Sequence, residues 1–434
     1  MNTNKSRVTH LAAFVAAALP MGAGLFTPVL ADVQIADITD TLDNAVKGPR
    51  LINGSTDPYF DVYAADHETF DNNVFRLASS TDVKAIVGPS ASREDHINSP
   101  SAGLDGQWSL GRQIFSVEAQ VADNRYSQNT NLNNVSSIDK AAWNWGLGSV
   151  LSGQVGAEYT HTLLSFVNAQ VYDRNTYQQT QYFAAGRYQV GPRWALYGGV
   201  LDANLTVEDP ATSYNDFRRK AVDMGAELET STQDSFGIDY RYTDARYPNA
   251  ITISQSAFDP DYREDRVRFL AKRVLTEKTT IDLSVGELKR TYANSIIGSF
   301  SGPIWRGALG WAPTEKTQLI VAVWRDLEAY LTDASNYYRS TAASIAPSWT
   351  PSEKISLSVK VSHEDQRYIG SSSSLQNQLL RHDTYNSQVL SLAYTPIRAL
   401  AFDLSYGHEQ RDSNEPLRSF NDGLATAGVK FIFQ

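Results

Sequence analysis

A period of two in the apolar residues, repeated from end to end, constrains this chain more than any other feature. In Ile355-Ser356-Leu357-Ser358-Val359-Lys360-Val361 every odd position is aliphatic and every even position is Ser or Lys. Successive side chains of a strand point to opposite faces, so the segment has one apolar and one wet face. The same alternation runs through 115–121, 236–242, 281–285 and 400–406. No long helical period competes with it. Eight short turn signals punctuate these segments, at Gly111-Gln113, Leu151-Gly153, Gly191-Arg193, Ser231-Asp234, Thr276-Lys278, Pro313-Lys316, Pro351-Lys354 and Pro396-Arg398. They recur about every 40 residues and use Gly-Pro, Ala-Pro-Thr and Thr-Pro-Ser, which are good turn formers. Longer polar stretches lie between them, at 124–137, 202–216, 247–262, 365–381 and 409–421.

A period near 40 also fits a β-propeller. Here, however, each unit carries two long strands, not four short ones. Short turns on one rim and long loops on the other are the pattern of a transmembrane β-barrel. Eight turns plus two terminal strands predict an all-β, antiparallel, up-and-down transmembrane barrel of about 18 strands. Its first strand is expected near Tyr59–Asp66, and its second is expected to end near Leu110. The final segment places Gly428 before the alternating pair Phe431 and Phe433. This resembles the C-terminal signal read by the barrel-assembly machinery, although Gln434, not an aromatic residue, is terminal.

Lys5 and Arg7 precede an apolar run over 11–30, and Val29-Leu30-Ala31 suits a signal peptidase. Residues 1–31 therefore read as a signal peptide cleaved near Ala31. Residues 32–58 read as a short periplasmic segment, too short for a folded plug, and 59–434 as a barrel in the outer membrane. Beyond the leader no stretch holds eighteen consecutive apolar residues, which excludes a helical span there. The formal charge is −10, and losing Lys5 and Arg7 makes it about −12. That balance argues against a nucleic-acid partner. With no cysteine, disulfides, thiolate metal sites and a cysteine nucleophile are excluded. No cofactor is expected. Asp71-Asn72-Asn73 and Asp259-Pro260-Asp261 read as solvated turns and not as calcium sites.

In a bilayer barrel the apolar face meets lipid and the polar face lines the lumen. The alternation assigns to the lumen Glu118, Arg187, Arg219, Asp223, Asp239, Arg241, Arg266, Arg268, Lys272, Asp282, Arg306, Lys360 and Asp403. Unpaired charges in a dry core would cost several kcal/mol each, a cost that a wet lumen removes. Arg266, Arg268 and Lys272 share one face of the segment 263–275, with Asp239 expected on the strand before and Asp282 on the strand after. Such a strip suits either guidance of an anionic polymer or simple mutual neutralisation along the wall. Trp143, Trp145, Trp194, Trp305, Trp311, Trp324 and Trp349 lie near strand ends and suit interfacial girdles. A hydrolase would need a nucleophile held beside a histidine. No Gly-x-Ser-x-Gly elbow is present, and no catalytic residue is assigned.

The segment Phe70-Asp71-Asn72-Asn73-Val74-Phe75-Arg76-Leu77 resembles the Asp-Asn-Val-Phe-Arg element of a family of β-barrel porins associated with exopolysaccharide operons. Gly111-Arg112-Gln113 with Asn124-Arg125-Tyr126, and Gly191-Pro192-Arg193-Trp194, are similar to that family's following hairpins. The resemblance implies an outer-membrane conduit that exports an exopolysaccharide. Its partners would be outer-membrane lipid, the barrel-assembly machinery, the polysaccharide and a periplasmic polysaccharide-export protein. The residues themselves leave open a general small-solute diffusion porin and, less favoured, an outer-membrane hydrolase.

Overall fold

Period-two segments joined by tight turns remove their edge strands altogether by closing on themselves. This chain does so. The structure, a computed structural model, describes residues 58–433 apart from 168–171, 231–233, 250–251, 254–255, 258–259, 294–298, 333–334, 370–380 and 416. The expected signal peptide and nearly all of the N-terminal segment lie outside the described residues.

The strands are β1 Tyr59–Asp71, β2 Asp95–Asn98 continued by Ser101–Leu110, β3 Gln113–Tyr126, β4 Asn134–Leu147, β5 Leu151–Leu163 and β6 Thr176–Val190. Next come β7 Trp194–Val207, β8 Phe217–Glu229, β9 Ser235–Arg246, β10 Tyr262–Thr276, β11 Thr279–Tyr292 and β12 Phe300–Thr314. The series ends with β13 Thr317–Thr332, β14 Ser335–Ser352, β15 Ile355–Ile369, β16 His382–Ile397, β17 Leu400–Ser413 and β18 Phe420–Phe433. Each pairs antiparallel with its neighbours in sequence, and β1 pairs with β18 from Val62/Phe433 to Asp71/Leu424. The result is a closed antiparallel barrel of 18 strands. β2 is broken at Ser99-Pro100, where proline lacks the ladder N–H. Both halves still pair with β1 and β3.

Two boundaries differ from the sequence reading. The turn expected at Leu151-Gly153 is Gly148–Val150, with Gly148 at φ +61°, and Leu151 already opens β5. The long-loop strands also run further than their polar composition suggests, for example β7 to Val207 and β17 to Ser413. Charged residues continue the ladder there because they pair across it, as Arg218 with Asp202 at 2.8 Å.

The outward face of each strand is apolar from its short turn upward. Val285, Phe269, Leu404 and Met224 are all exposed on the isolated barrel, as a lipid-facing belt requires. Trp108, Phe115 and Trp143 form a nearly parallel stack along the short-turn rim, with ring centroids 5.6 and 6.0 Å apart. Trp194, Trp311 and Trp349 continue this girdle as half-exposed rings. Trp324 does not belong to it. It stands opposite Arg306 on the lumen parity, one residue out of step with lipid-facing Val323.

Candidate functional site

The inner wall is built from the wet positions of the alternation, and most of its charges meet across neighbouring strands. Asp223 of β8 stands directly opposite Arg241 of β9. The guanidinium donates from Nε and Nη2 to one carboxylate oxygen, at 2.9 and 2.6 Å, and both side chains are almost fully enclosed. One step along, Asp239 faces Arg268 of β10, which donates from Nε and Nη2 at 3.0 and 2.8 Å. Arg266 reaches Asp326 of β13 at 3.2 Å and Glu264 at 3.5 Å. Arg290 of β11 donates to Glu264 at 2.8 and 2.6 Å and lies over the Tyr262 ring. Arg219 lies over Phe217. Lower on the wall, Arg187 bridges Glu227 and Glu229, at 2.5 and 2.6 Å.

Asp326 can reach Arg266 from three strands away because the wall parts there. The β12–β13 ladder runs only as far as Trp305/Arg325. Beyond it, Leu327 and Tyr337 pack with lumen-facing Leu288, Tyr292 and Ile304. Tyr337 stacks on Tyr292 at 5.4 Å. The top of the β13–β14 hairpin therefore leans over the lumen.

This arrangement divides the thirteen lumen candidates by accessibility. Arg219, Asp223, Asp239, Arg241, Arg266 and Arg268 are buried in the wall, so they stiffen it and present little charge to a passing solute. The chemical reason is that directly opposed acids and bases in a sheet are close enough to satisfy one another. Arg306 and Lys360 are exposed on the lumen parity, and Lys272 is partly buried, opposite Asp282 of β11. Glu118 lies 3.4 Å from Lys140. Asp403 lies 3.5 Å from His67. These last two side chains belong to β17 and β1 and meet across Gly428 of β18, which is in register with both. A Cβ at residue 428 would come within 2.1 Å of Asp403 Oδ1 and 2.4 Å of His67, so only glycine leaves the pair room.

Opposite the arginine-rich wall, Asp61, Asp105 and Glu118 form one row across β1 to β3, continued by Lys140 and Glu158. The lumen is thus bipolar, with its cations concentrated on β8 to β12.

Sequence reasoning missed the partners that come from outside neighbouring strands. Glu264 and Arg290 carry the lumen parity of Arg266 and Asp282 and were readable from the alternation alone. Asp326 was not, because its reach depends on the parted ladder. Nor was the cluster around Arg76 in the loop after β1. Arg76 Nη1 bonds Asp71 at 2.9 Å, Nη2 lies 3.1 Å from Asp422, and Nε lies 3.7 Å from Glu409. These carboxylates come from β1, β18 and β17. Asn73 adds bonds to the carbonyls of Leu77 and Asn421, both 2.9 Å. Asp71, Asn72 and Asn73 are therefore structural hydrogen-bonding residues of the seam. Asp259 lies outside the described residues.

The closed barrel, the apolar outer belt and the charged inner wall define a membrane-spanning β-barrel of porin architecture. A family model described as "Putative beta-barrel porin 2" matches residues 271–433, which include β11 to β18. No curated protein matches the sequence. Among solved structures, the chain is similar to the outer membrane protein OpdK from Pseudomonas aeruginosa, at 10% identity and a TM-score of 0.43, over 86% of this chain and 99% of that one. It is also similar to Pseudomonas aeruginosa OccK2 (OpdF) in complex with glucuronate, at 10% identity and a TM-score of 0.46, over 87% and 99%. A BenF-like porin from Pseudomonas fluorescens Pf-5 gives 9% identity and a TM-score of 0.46, over 86% and 99%. These likenesses carry no argument about cargo.

Proposed function

We propose that the chain is a passive channel for small polar solutes across the outer membrane, biased toward anions by Lys272, Arg306 and Lys360. The observation that carries this reading is the division of the lumen charges. The buried pairs hold the wall rigid, while Lys272, Arg306 and Lys360 keep exposed surface on the lumen side, as does Lys140 beside Glu118. A solvated cation on a channel wall raises the local concentration of counter-ions, and low-dielectric surroundings strengthen the effect. The match to a porin family supports the class, and its description names no cargo.

Export of an exopolysaccharide is the second reading, and the resemblance at 70–77 favours it. In this barrel those residues serve to fasten the seam, a task independent of what passes through. The resemblance therefore supports the barrel class more than the polymer.

Planar-bilayer recordings separate the readings. Arg306→Glu with Lys360→Glu is expected to move the reversal potential in a salt gradient toward cation selectivity while preserving conductance. An unchanged reversal potential would remove these side chains from the conduction path. Secreted polymer that falls in a clean gene deletion, with small-solute uptake intact, would favour export.

A further inference from the structure

Along the arginine-rich wall a guanidinium is answered by an acid in register on the neighbouring strand. Arg241 stands opposite Asp223, Arg268 opposite Asp239 and Arg290 opposite Glu264. Arg219 of β8 breaks this rule. The residues in register with it are Ala203 of β7 and Ala245 of β9, both fully shielded from solvent. Its guanidinium carbon lies 5.0 Å from the centroid of the Phe217 ring, which meets Tyr247 at 6.0 Å. Tyr262 of β10 stands beyond Ala245 in the same row. Arg219 is only 7% exposed, and its Nε is shielded from solvent without an acceptor. Among the described residues its guanidinium has no hydrogen bond or ion pair.

Glu264 is the carboxylate whose charge reaches Arg219, and Arg290 is close enough to repel it. Glu264 is already engaged, by Arg290 at 2.8 and 2.6 Å and by Arg266 at 3.5 Å. A guanidinium held among alanines and rings is costly unless an anion answers it. The missing charge is one, and the group that fills this role elsewhere on the wall is a carboxylate. A dianion such as phosphate would exceed the charge and bring more hydration to strip. Chloride would match the charge but not the planar fork of N–H donors, which a carboxylate accepts bidentately. The same burial screens Arg219 from ions moving along the axis and leaves it to a solute that seats its acid against the wall.

We propose that Arg219 is a binding site for the carboxylate of a small monoanionic solute with an apolar body. The inference rests on the anion-channel reading above and names the class of anion. The carboxylate takes the place that Ala203 and Ala245 leave empty of acid, and the apolar body lies against the surrounding rings.

The test uses the full-length barrel in detergent. The temperature of the shift from folded to unfolded gel mobility is followed as butyrate replaces chloride at constant ionic strength. Wild type is expected to gain thermal stability that saturates, because a ligand bound only by the folded state stabilises it. Arg219→Gln is expected to raise the half-saturating butyrate concentration at least about tenfold, the equivalent of one charge-assisted contact. Arg219→Lys, which keeps the charge without the planar fork, should fall between the two. Butyramide, similar in shape but uncharged, should have no effect, and Arg125→Gln should respond as wild type. Removing an unanswered buried charge should not prevent folding. No response in wild type, an equal response in Arg219→Gln, or an equal response to butyramide would overturn the proposal. Protection by an acidic oligosaccharide that depends on Arg219, without protection by butyrate, would overturn the small-solute assignment. The channel reading fails separately, on a reversal potential without anion preference. The thermal titration needs no current and decides the site on its own.

Discussion

Replacing Arg76 with methionine should cost the barrel about 3–5 kcal/mol, the loss expected when one partner of a buried ion cluster is removed. Asp71, Asp422 and Glu409 converge on this guanidinium from the three strands at the seam. Burial works against its charge, but the three carboxylates outweigh that cost and raise its pKa above the ordinary arginine range. Without it, three carboxylates face one another in an enclosed site. Arg76 also adopts φ +52°, a left-handed conformation that non-glycine residues hold only under constraint. Its neighbour Phe75 anchors the loop among Val74, Leu77, Leu132 and Phe166. The loss should appear as a lower temperature for the shift from folded to unfolded gel mobility. Arg125→Met, which removes an exposed pair with Asp123, should change that temperature far less, since surface pairs contribute about 0–1 kcal/mol. Equal shifts for the two variants would mean that the Arg76 cluster does not hold the seam.

Substituting aspartate for both Phe431 and Phe433 should abolish assembly in cells. Phe433 and Phe431 lie opposite Val62 and Ala64 of β1, so they sit on the lipid side of the closing ladder. Their rings meet edge to face at 5.1 Å, and both are about half exposed on the isolated barrel. Charge on the lipid face costs about 2–4 kcal/mol for basic residues at the midplane and less for acids or near the rims. The energetic penalty here is therefore modest. The larger effect should come from erasing the alternating aromatic end that resembles an assembly signal. The measurement is the amount of heat-modifiable barrel in outer-membrane fractions. Phe433→Leu should retain it. If the doubly charged variant assembles at the wild-type level, these rings are ordinary girdle residues.

Much of the fold was legible because a transmembrane strand writes its two faces in alternate residues, as in Ile355 to Val361. The short turns were legible for a similar reason: the turn after β6 needs Gly191 at φ +71°, and Pro192 follows it. The cross-strand pair Asp239–Arg268 follows from parity and neighbouring order alone. What could not be read depends on contacts without sequence periodicity. Trp324 looks like a girdle residue by composition, yet its position in the ladder turns it inward opposite Arg306. Asp326 meets Arg266 only because the hairpin above Arg325 leaves its neighbour. Arg76 pairs with residues more than 300 positions away, which become neighbours only when β18 closes on β1. Parity likewise identifies the lumen side of a residue but not its accessibility, so Arg266 and Lys360 look alike in sequence and differ in the wall.

The chain's lack of cysteine permits a direct test of the central claim, that alternate residues of these strands face a conducting lumen and a lipid belt. Single cysteines would be placed at Lys272, Arg306 and Lys360, and at lipid-facing Phe269, Val285 and Val361. Current through reconstituted channels would then be followed while a charged, water-soluble methanethiosulfonate reagent is added. Block or altered selectivity at Lys272, Arg306 and Lys360, with silence at Phe269, Val285 and Val361, is the predicted result. Modification without regard to parity, or silence at all six positions, would contradict it.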